Sequence, residues 1–386
     1  MTAAVGAGLS PLGEVVRFFL RLGLTAFGGP AAHIGLMERE AVERRAWMSR
    51  EQFLDLIGAC NLLPGPSSTQ VAMALGYNRA GWLGLIAAGA CFIIPASIAT
   101  LALAWAYVRF GGLPHAQGLL YGAKPVMEAI VLQAFWNLGR MAFRRWEMAL
   151  AGAACFVAAE LGAAPIAILL ISGGLMLATA TARARSGAKA GVFAGPGLGG
   201  TAGASIAGAG AVPGLAQIAL IFLKLGVVVF GSGYVLLAFL KTDLVDRLHW
   251  VTEAQLVDAV TAGQVTPGPV FATATFLGYL VRGWAGAAIA TVAIFLPSFL
   301  MAGIVGAFAH RIRKSKPAAA FLDGVNAAAV ALMASVALSL GRATLVDGWT
   351  WGIALVSAAL LVIFRVNATW LILAGATLGI LQSAFH

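Results

Sequence analysis

A long internal duplication constrains this chain more than any other feature. A shift of 203 positions lays Arg21-Leu22-Gly23 on Lys224-Leu225-Gly226, Phe27-Gly28 on Phe230-Gly231, Trp47 on Trp250, Gln52 on Gln255, Asp55 on Asp258, and Pro64-Gly65-Pro66 on Pro267-Gly268-Pro269. One residue then drops out. At a shift of 202, Leu75-Gly76-Tyr77 meets Leu277-Gly278-Tyr279, and Gly81-Trp82, Pro95 and Gly139-Arg140 meet Gly283-Trp284, Pro297 and Gly341-Arg342. Such a repeat implies two copies of one structural plan, residues 1–180 and 214–386. Between them, residues 181–213 are rich in Gly, Ala and Ser and carry Arg183, Arg185 and Lys189, the composition of a flexible linker. Gly195, Gly197 and Gly200 fit GxGxxG, but no strand precedes them, so linker composition explains them better than a dinucleotide site.

Water is not the solvent of these repeats. The chain is 60% hydrophobic and 10% charged, with a mean hydropathy of +0.90, whereas soluble domains carry about 25% charged residues. Apolar stretches at 81–107, 126–138 and 318–340 approach the roughly 20 residues that cross a bilayer as a helix. The fold class expected is an all-α polytopic membrane protein of two homologous halves. The first apolar helix, 15–27, lacks the basic start of a signal peptide and leads into further apolar segments, so it is expected to stay as the first span.

The net charge of +10 does not point to nucleic acid, because the basic residues cluster in short loops between spans, as retention of positive charge in the cytoplasm requires. Cys60, Cys91 and Cys155 lie in apolar sequence without CxxC spacing, which argues against a disulfide framework or a zinc site. His33, His115, His249, His310 and His386 are scattered, and neither HExxH nor GxxxxGK[ST] occurs. No metalloenzyme, ATP-driven pump or cofactor is expected, and no nucleophile and base share a span.

Each half reads as a first helix, an interrupted segment around PGP that returns to its starting side, two longer helices and two shorter ones. The number of crossings is then odd, which turns the second half upside down relative to the first, the inverted-repeat plan of many secondary transporters. With the N-terminus outside, only Arg17, Arg109, Lys124, Lys241, Arg247, Arg282 and Arg342 face outward, and the remaining loop cations face the cytoplasm.

The interruptions carry the chemistry. One helix ends near Leu63 and a second begins at Ser67, with Pro64-Gly65-Pro66 between them. Non-helical backbone inside apolar sequence is tolerated only where protein or a watery cavity satisfies it, so a break present once per half marks a substrate site. The N-terminus after each break offers free N–H groups and a positive dipole end, which favour an anion. Asn61, Ser67, Ser68, Thr69 and Gln70 add polar groups in the first half; Gln264, Thr266, Thr273 and Thr275 do so around Pro267-Gly268-Pro269. Val270 and Phe271 replace the two serines, so the first site is expected to be the more polar.

Arg21 and Lys224 occupy equivalent places in the two first helices. A cation there costs about 2.5–3.5 kcal/mol to insert, so both are read as anion-selecting residues. Asp55 and Asp258 precede the two breaks and read as ion-pair partners of those cations or as coupling carboxylates. Lys124 and Glu128, four apart, are placed to pair with each other.

Phe27-Gly28-Gly29-Pro30 with His33-Ile34-Gly35, LLPGPSSTQVA, and the FGSGY and TPGP of the second half resemble the chromate ion transporter family in its long, two-domain form. The resemblance implies export of chromate, a tetrahedral oxyanion shaped like sulfate, across the bacterial inner membrane by antiparallel homologous halves. It also implies substrate contact at Gly28, Gly29, Gly231 and Ser232, although Gly231-Ser232-Gly233 departs from Gly28-Gly29-Pro30. Sulfate or another oxyanion as cargo, and a gated anion channel as mechanism, stay open from sequence, as does the oligomeric state.

Overall fold

The computed structural model describes residues 10–27, 29–61, 63–143, 146–186, 213–229, 235–312, 316–364 and 366–385, and every regular element among them is helical. The first half comprises α1 (Pro11–Thr25), α2 (Gly29–Glu38) with a wider π-type extension (Arg39–Arg44), α3 (Arg50–Asn61), α4 (Ser67–Phe110), α5 (Pro114–Ala142), α6 (Trp146–Glu160) and α7 (Pro165–Ser186). The second repeats it as α8 (Leu215–Val228), α9 (Val235–Leu240) with its own π-type extension (Lys241–Arg247), α10 (Glu253–Val265), α11 (Thr273–Ile312), α12 (Lys316–Thr344), α13 (Gly348–Val362) and α14 (Ala368–Phe385). The helix α7 continues to Ser186, into the segment expected as linker; residues 187–212, with the GxGxxG glycines, lie outside the described residues.

Local sequence explains the boundaries. Ser10 caps α1, accepting from the Gly13 amide at 3.2 Å, with Pro11 at the first position. Reciprocal capping boxes start α3 and α10: Ser49 with Gln52 (3.2 and 2.9 Å) and Thr252 with Gln255 (3.2 and 2.9 Å). Inside α4 the backbone reverses at Ala80-Gly81, where Gly81 has φ +62° and ψ −151°; Arg282-Gly283 repeats this in α11, with φ +59° at Gly283. The two arms pack tightly because both contact points are glycine: a methyl at Gly76 would lie 2.3 Å from the Gly84 carbonyl, and one at Gly278 would lie 2.4 Å from the Gly286 carbonyl. The short arm of α4 therefore returns to where α3 began, and only the long arm continues.

The first helix behaves in the same way, which corrects the expectation of a full first span. Trp47 and Arg45, which follow the π-type extension, lie against Phe18 of α1 at 5.8 and 5.9 Å, so α1 and α2 form a hairpin that turns between Ala26 and Gly29. Glu14 at the start of α1 binds Arg79 at 2.9 Å, and Arg79 lies over Trp47 at 5.8 Å. The start of α1, residues 39–50 and Arg79 thus share one end of the bundle. The N-terminal region is on the side of the Arg39, Arg44, Arg45 and Arg50 cluster, not opposite it. An apolar length of fifteen residues matches half a bilayer crossing as well as a short full one.

The long arms of α4 and α11 pack antiparallel: Trp82 meets Gly303, and Gly89 meets Phe299. On the flanks α5 meets α14 through Gly122 and Gly375, and α12 meets α7 through Gly324 and Ser172, small residues that bring backbones together in an apolar medium. Four helical segments among the described residues, Ser67–Phe110, Pro165–Ala182, Val270–Gly306 and Ala320–Thr344, are long and apolar enough to cross a membrane. Leu83, Ile98, Val292 and Leu300 on the long arms are exposed while Ser67, Ser68, Thr69 and Gln70 are buried, the reverse of a water-soluble surface. The chain is a multi-pass membrane protein.

Candidate functional site: the paired hairpin tips

The four hairpin tips meet in the interior, and they meet across the repeat. The Gly65 amide of the first PGP donates to the Val229 carbonyl at 2.6 Å, at the end of α8; the Gly268 amide of the second PGP donates to the Ala26 carbonyl at 2.9 Å, at the end of α1. Each break thereby satisfies backbone groups that its partner's break sets free, which answers the requirement that unpaired backbone inside a membrane find a donor or acceptor. Gly65 (φ +115°) and Gly268 (φ +98°) hold conformations that side-chain-bearing residues rarely adopt.

The first tip is lined by hydroxyls and amides. Ser67, Ser68, Thr69 and Gln70 are all buried, at the positive end of α4. The Gln70 side-chain amide donates to the Pro64 carbonyl, curling over the break. Ser298 of α11 faces the same point: a methyl on Gly65 would lie 3.0 Å from its Oγ and 2.6 Å from Gln70 Nε2. Thr69 Oγ1, Gln70 Oε1, Ser298 Oγ and, near the second tip, Gln264 Nε2 are buried without a hydrogen-bond partner. His33 lies beside the α1 tip, its Nε2 3.3 Å from the Ala26 carbonyl oxygen and its Nδ1 unpartnered. Buried polar atoms are normally satisfied, so this concentration at the tips is exceptional. At the second tip the Thr266 hydroxyl meets Thr100 at 3.1 Å and the Gly263 carbonyl at 3.2 Å, and Thr273 donates back to the Val270 carbonyl. Val270 and Phe271 are buried there where the first tip has its serines, so the second tip is the less polar one.

Of the residues singled out in sequence, the structure gathers Pro64, Gly65, Pro66, Ser67, Ser68, Thr69 and Gln70 around one pair of tips, and Gly29, which follows the Ala26 tip, with Gln264, Thr266, Pro267, Gly268 and Pro269 around the other. Gly28, Gly231 and Ser232 lie outside the described residues. Asn61 ends α3 with its side chain exposed. Arg21 is exposed on α1 and is not brought to the tips. Lys224 pairs with Asp243 at 2.7 Å, and Arg247 joins the same carboxylate at 3.2 Å, so its partner is not Asp258. Lys124 reaches Asp258 at 3.1 Å instead of the neighbouring Glu128, which is buried against Gly341. Asp55 is half-buried on α3. Sequence reasoning missed Ser298, although the repeat holds its signal: Ser298 follows Pro297 where Ala96 follows Pro95, a polar residue in one copy only.

Near the far end of the bundle the Tyr121 hydroxyl donates to Asp347, which also caps α13 through the Thr350 amide. These hydrogen bonds, Tyr121 first, hold the Asp347 carboxyl below the usual carboxylate range.

Comparison with known proteins fits this duplicated plan. The family described as chromate transporter matches the chain twice, at residues 13–178 and 216–380. The chain belongs to the chromate transporter family. A chromate transport protein of Cupriavidus metallidurans is 34% identical over 98% of this chain and 95% of its own length. A probable chromate transport protein of Synechococcus elongatus is 32% identical over 90% of this chain and 88% of its own. A chromate transport protein of Pseudomonas aeruginosa is 31% identical, covering 94% and 90% respectively. No solved structure matches. The family and these relatives are transport proteins, not enzymes.

Proposed function

We propose that this protein is a secondary transporter that exports chromate across the bacterial inner membrane, in two halves of opposite orientation, and that it confers chromate resistance. The observation that carries the reading is the reciprocal pairing of the tips, Gly65 to Val229 and Gly268 to Ala26, around buried donors that lack partners. A tetrahedral oxyanion needs several hydrogen-bond donors and a positive potential. The α4 N-terminus supplies the potential and carries the buried Ser67, Ser68 and Thr69, and the Ser298 hydroxyl stands beside Gly65 at the break.

Opposite orientation is supported by the antiparallel long arms of α4 and α11, because equivalent helices related by an axis along the membrane normal run parallel instead. The positive-inside rule puts the Arg79 end in the cytoplasm, with Arg39, Arg44, Arg45, Arg50 and Arg140. At the other end, Lys124 and Lys241 pair with Asp258 and Asp246, and Arg247 shares Asp243 with Lys224. Each tip pair joins one half to the other. Rocking of the halves about these contacts exposes the site alternately to either side. A dianion leaving a negative-inside cell gains about 4.6 kcal/mol per 100 mV, twice the value for one charge, which suffices to drive export.

The test is chromate accumulation in a chromate-sensitive bacterium expressing the protein, with cysteine accessibility at Ser10 and Arg282 measured in the same cells. Lower internal chromate, with Ser10→Cys labelled only from inside and Arg282→Cys only from outside, is expected. Unchanged accumulation refutes export, and same-sided labelling refutes inversion.

A further inference from the structure

A cavity of about 720 Å³ opens at the Phe110 end of the bundle, within the size range of small-molecule sites. Its polar lining includes Tyr107 of α4, Gln117, Tyr121 and Lys124 of α5, Asp258 of α10 and Thr344 of α12. Lys124 Nζ stands 3.1 Å from one oxygen of Asp258, and the Tyr107 hydroxyl donates to the other at 3.0 Å. The carboxylate is buried at 3% side-chain exposure, whereas the lysine is 23% exposed. The ammonium is therefore the member of the pair that an arriving solute reaches first. From Asp258, α10 runs about two further turns to Thr266 at the second tip.

The other copy keeps the carboxylate without the lysine and the tyrosine. Asp55 occupies the place of Asp258 in the other copy, but Asn326 stands where Lys124 does and Ala309 where Tyr107 does. The same architecture is built at the opposite end without the lysine. Lys124 meets one oxygen of Asp258 as it would meet one oxygen of a tetrahedral oxyanion, and Tyr107 donates to a second, so Asp258 occupies the place that such an anion would take.

We propose that this cavity is an oxyanion site at the outer end of the path, with Lys124 as its ligand and Asp258 as an internal counter-ion that the dianion displaces. The inference rests on the transport reading above. A dianion competes with a single carboxylate charge for Lys124, and Asp258, retained by Tyr107, takes the lysine back as the anion leaves. The internal competitor keeps binding weak enough for release, which conduction through successive sites requires.

The experiment is chromate binding by equilibrium dialysis to the full chain in lipid nanodiscs, comparing wild type with Lys124→Gln, Lys124→Arg and Asp258→Asn. Lys124→Gln is expected to weaken binding roughly ten- to a hundredfold, the range for a hydrogen bond to a charged group, with Lys124→Arg restoring most of it. Asp258→Asn removes the competitor and is expected to tighten binding. Opposite signs are the signature. A bridge that only holds the helices together moves both variants the same way, or neither, and that result overturns the proposal. Should Lys124→Gln fail to fold by size-exclusion elution, the double variant Lys124→Gln, Asp258→Asn leaves no lone buried charge and is expected to bind weakly; tight binding by it also overturns the proposal. Wild-type binding indifferent to Lys124 sinks this inference alone, whereas no chromate binding by the wild type sinks the transport reading with it.

Discussion

Replacing Gly65 by alanine perturbs the first tip without removing any of its donors. Gly65 sits at φ +115° and its amide donates to the Val229 carbonyl at 2.6 Å. An alanine held there carries about 1–3 kcal/mol of backbone strain. Its methyl would lie 2.6 Å from Gln70 Nε2, so the Gln70 amide has to swing away and give up its hydrogen bond to Pro64, worth about 0.5–1.5 kcal/mol. Together these amount to about 1.5–4.5 kcal/mol against the tip arrangement, or roughly a ten- to thousandfold loss at 1.4 kcal/mol per factor of ten. The assay is initial chromate flux in proteoliposomes, with protein incorporated in equal amounts and elution profile checked. Gly112→Ala is the control: nothing lies within 4 Å of its methyl and its φ is ordinary. Gly65→Ala at the wild-type rate would refute the claim that the tip geometry holds the substrate.

Two further outcomes follow from named contacts. Lys224→Gln leaves Asp243 with Arg247 as its ion-pair partner; because Lys224 is about a third exposed, the expected loss is about 1 kcal/mol, well under that of a fully buried pair, read as a lower unfolding temperature with flux nearly preserved. Asp347 is held below the usual carboxylate range, so its stabilising contribution is present above the ordinary Asp value and is lost as pH falls through the lowered one. Tyr121→Phe removes its main donor and shifts that loss to higher pH; melting curves taken across the acid range check this, and an unchanged pH profile contradicts it.

Much of the plan is legible along the chain because it is written twice. The PGP breaks, the glutamines that close the α3 and α10 capping boxes, and the Gly81 and Gly283 positions all align between copies. What the alignment conceals is direction. The reversal at Gly81 lies inside continuous apolar sequence, and fifteen residues of α1 look alike whether the chain crosses or turns back at Ala26. Ion pairing was misassigned for a related reason. Lys224 and Asp258 align with neighbours in sequence logic, but hairpin folding brings Asp243 to Lys224 and carries Asp258 across to α5. The crossing of tips between halves is a long-range pairing, and a single sequence carries no mark of which carbonyl receives the Gly65 amide.

In the transport reading, the serines after the first PGP hold an oxyanion inside the membrane. The most direct measurement is radiolabelled chromate and sulfate flux into proteoliposomes under an imposed potential, comparing wild type with Ser67→Ala, Ser68→Ala. Saturable chromate flux is expected that follows the potential and falls at least tenfold in the variant, about the worth of one hydrogen bond to a charged group, with folding intact. Chromate flux equal in both proteins would contradict it, and flux of sulfate alone would give the site a different cargo.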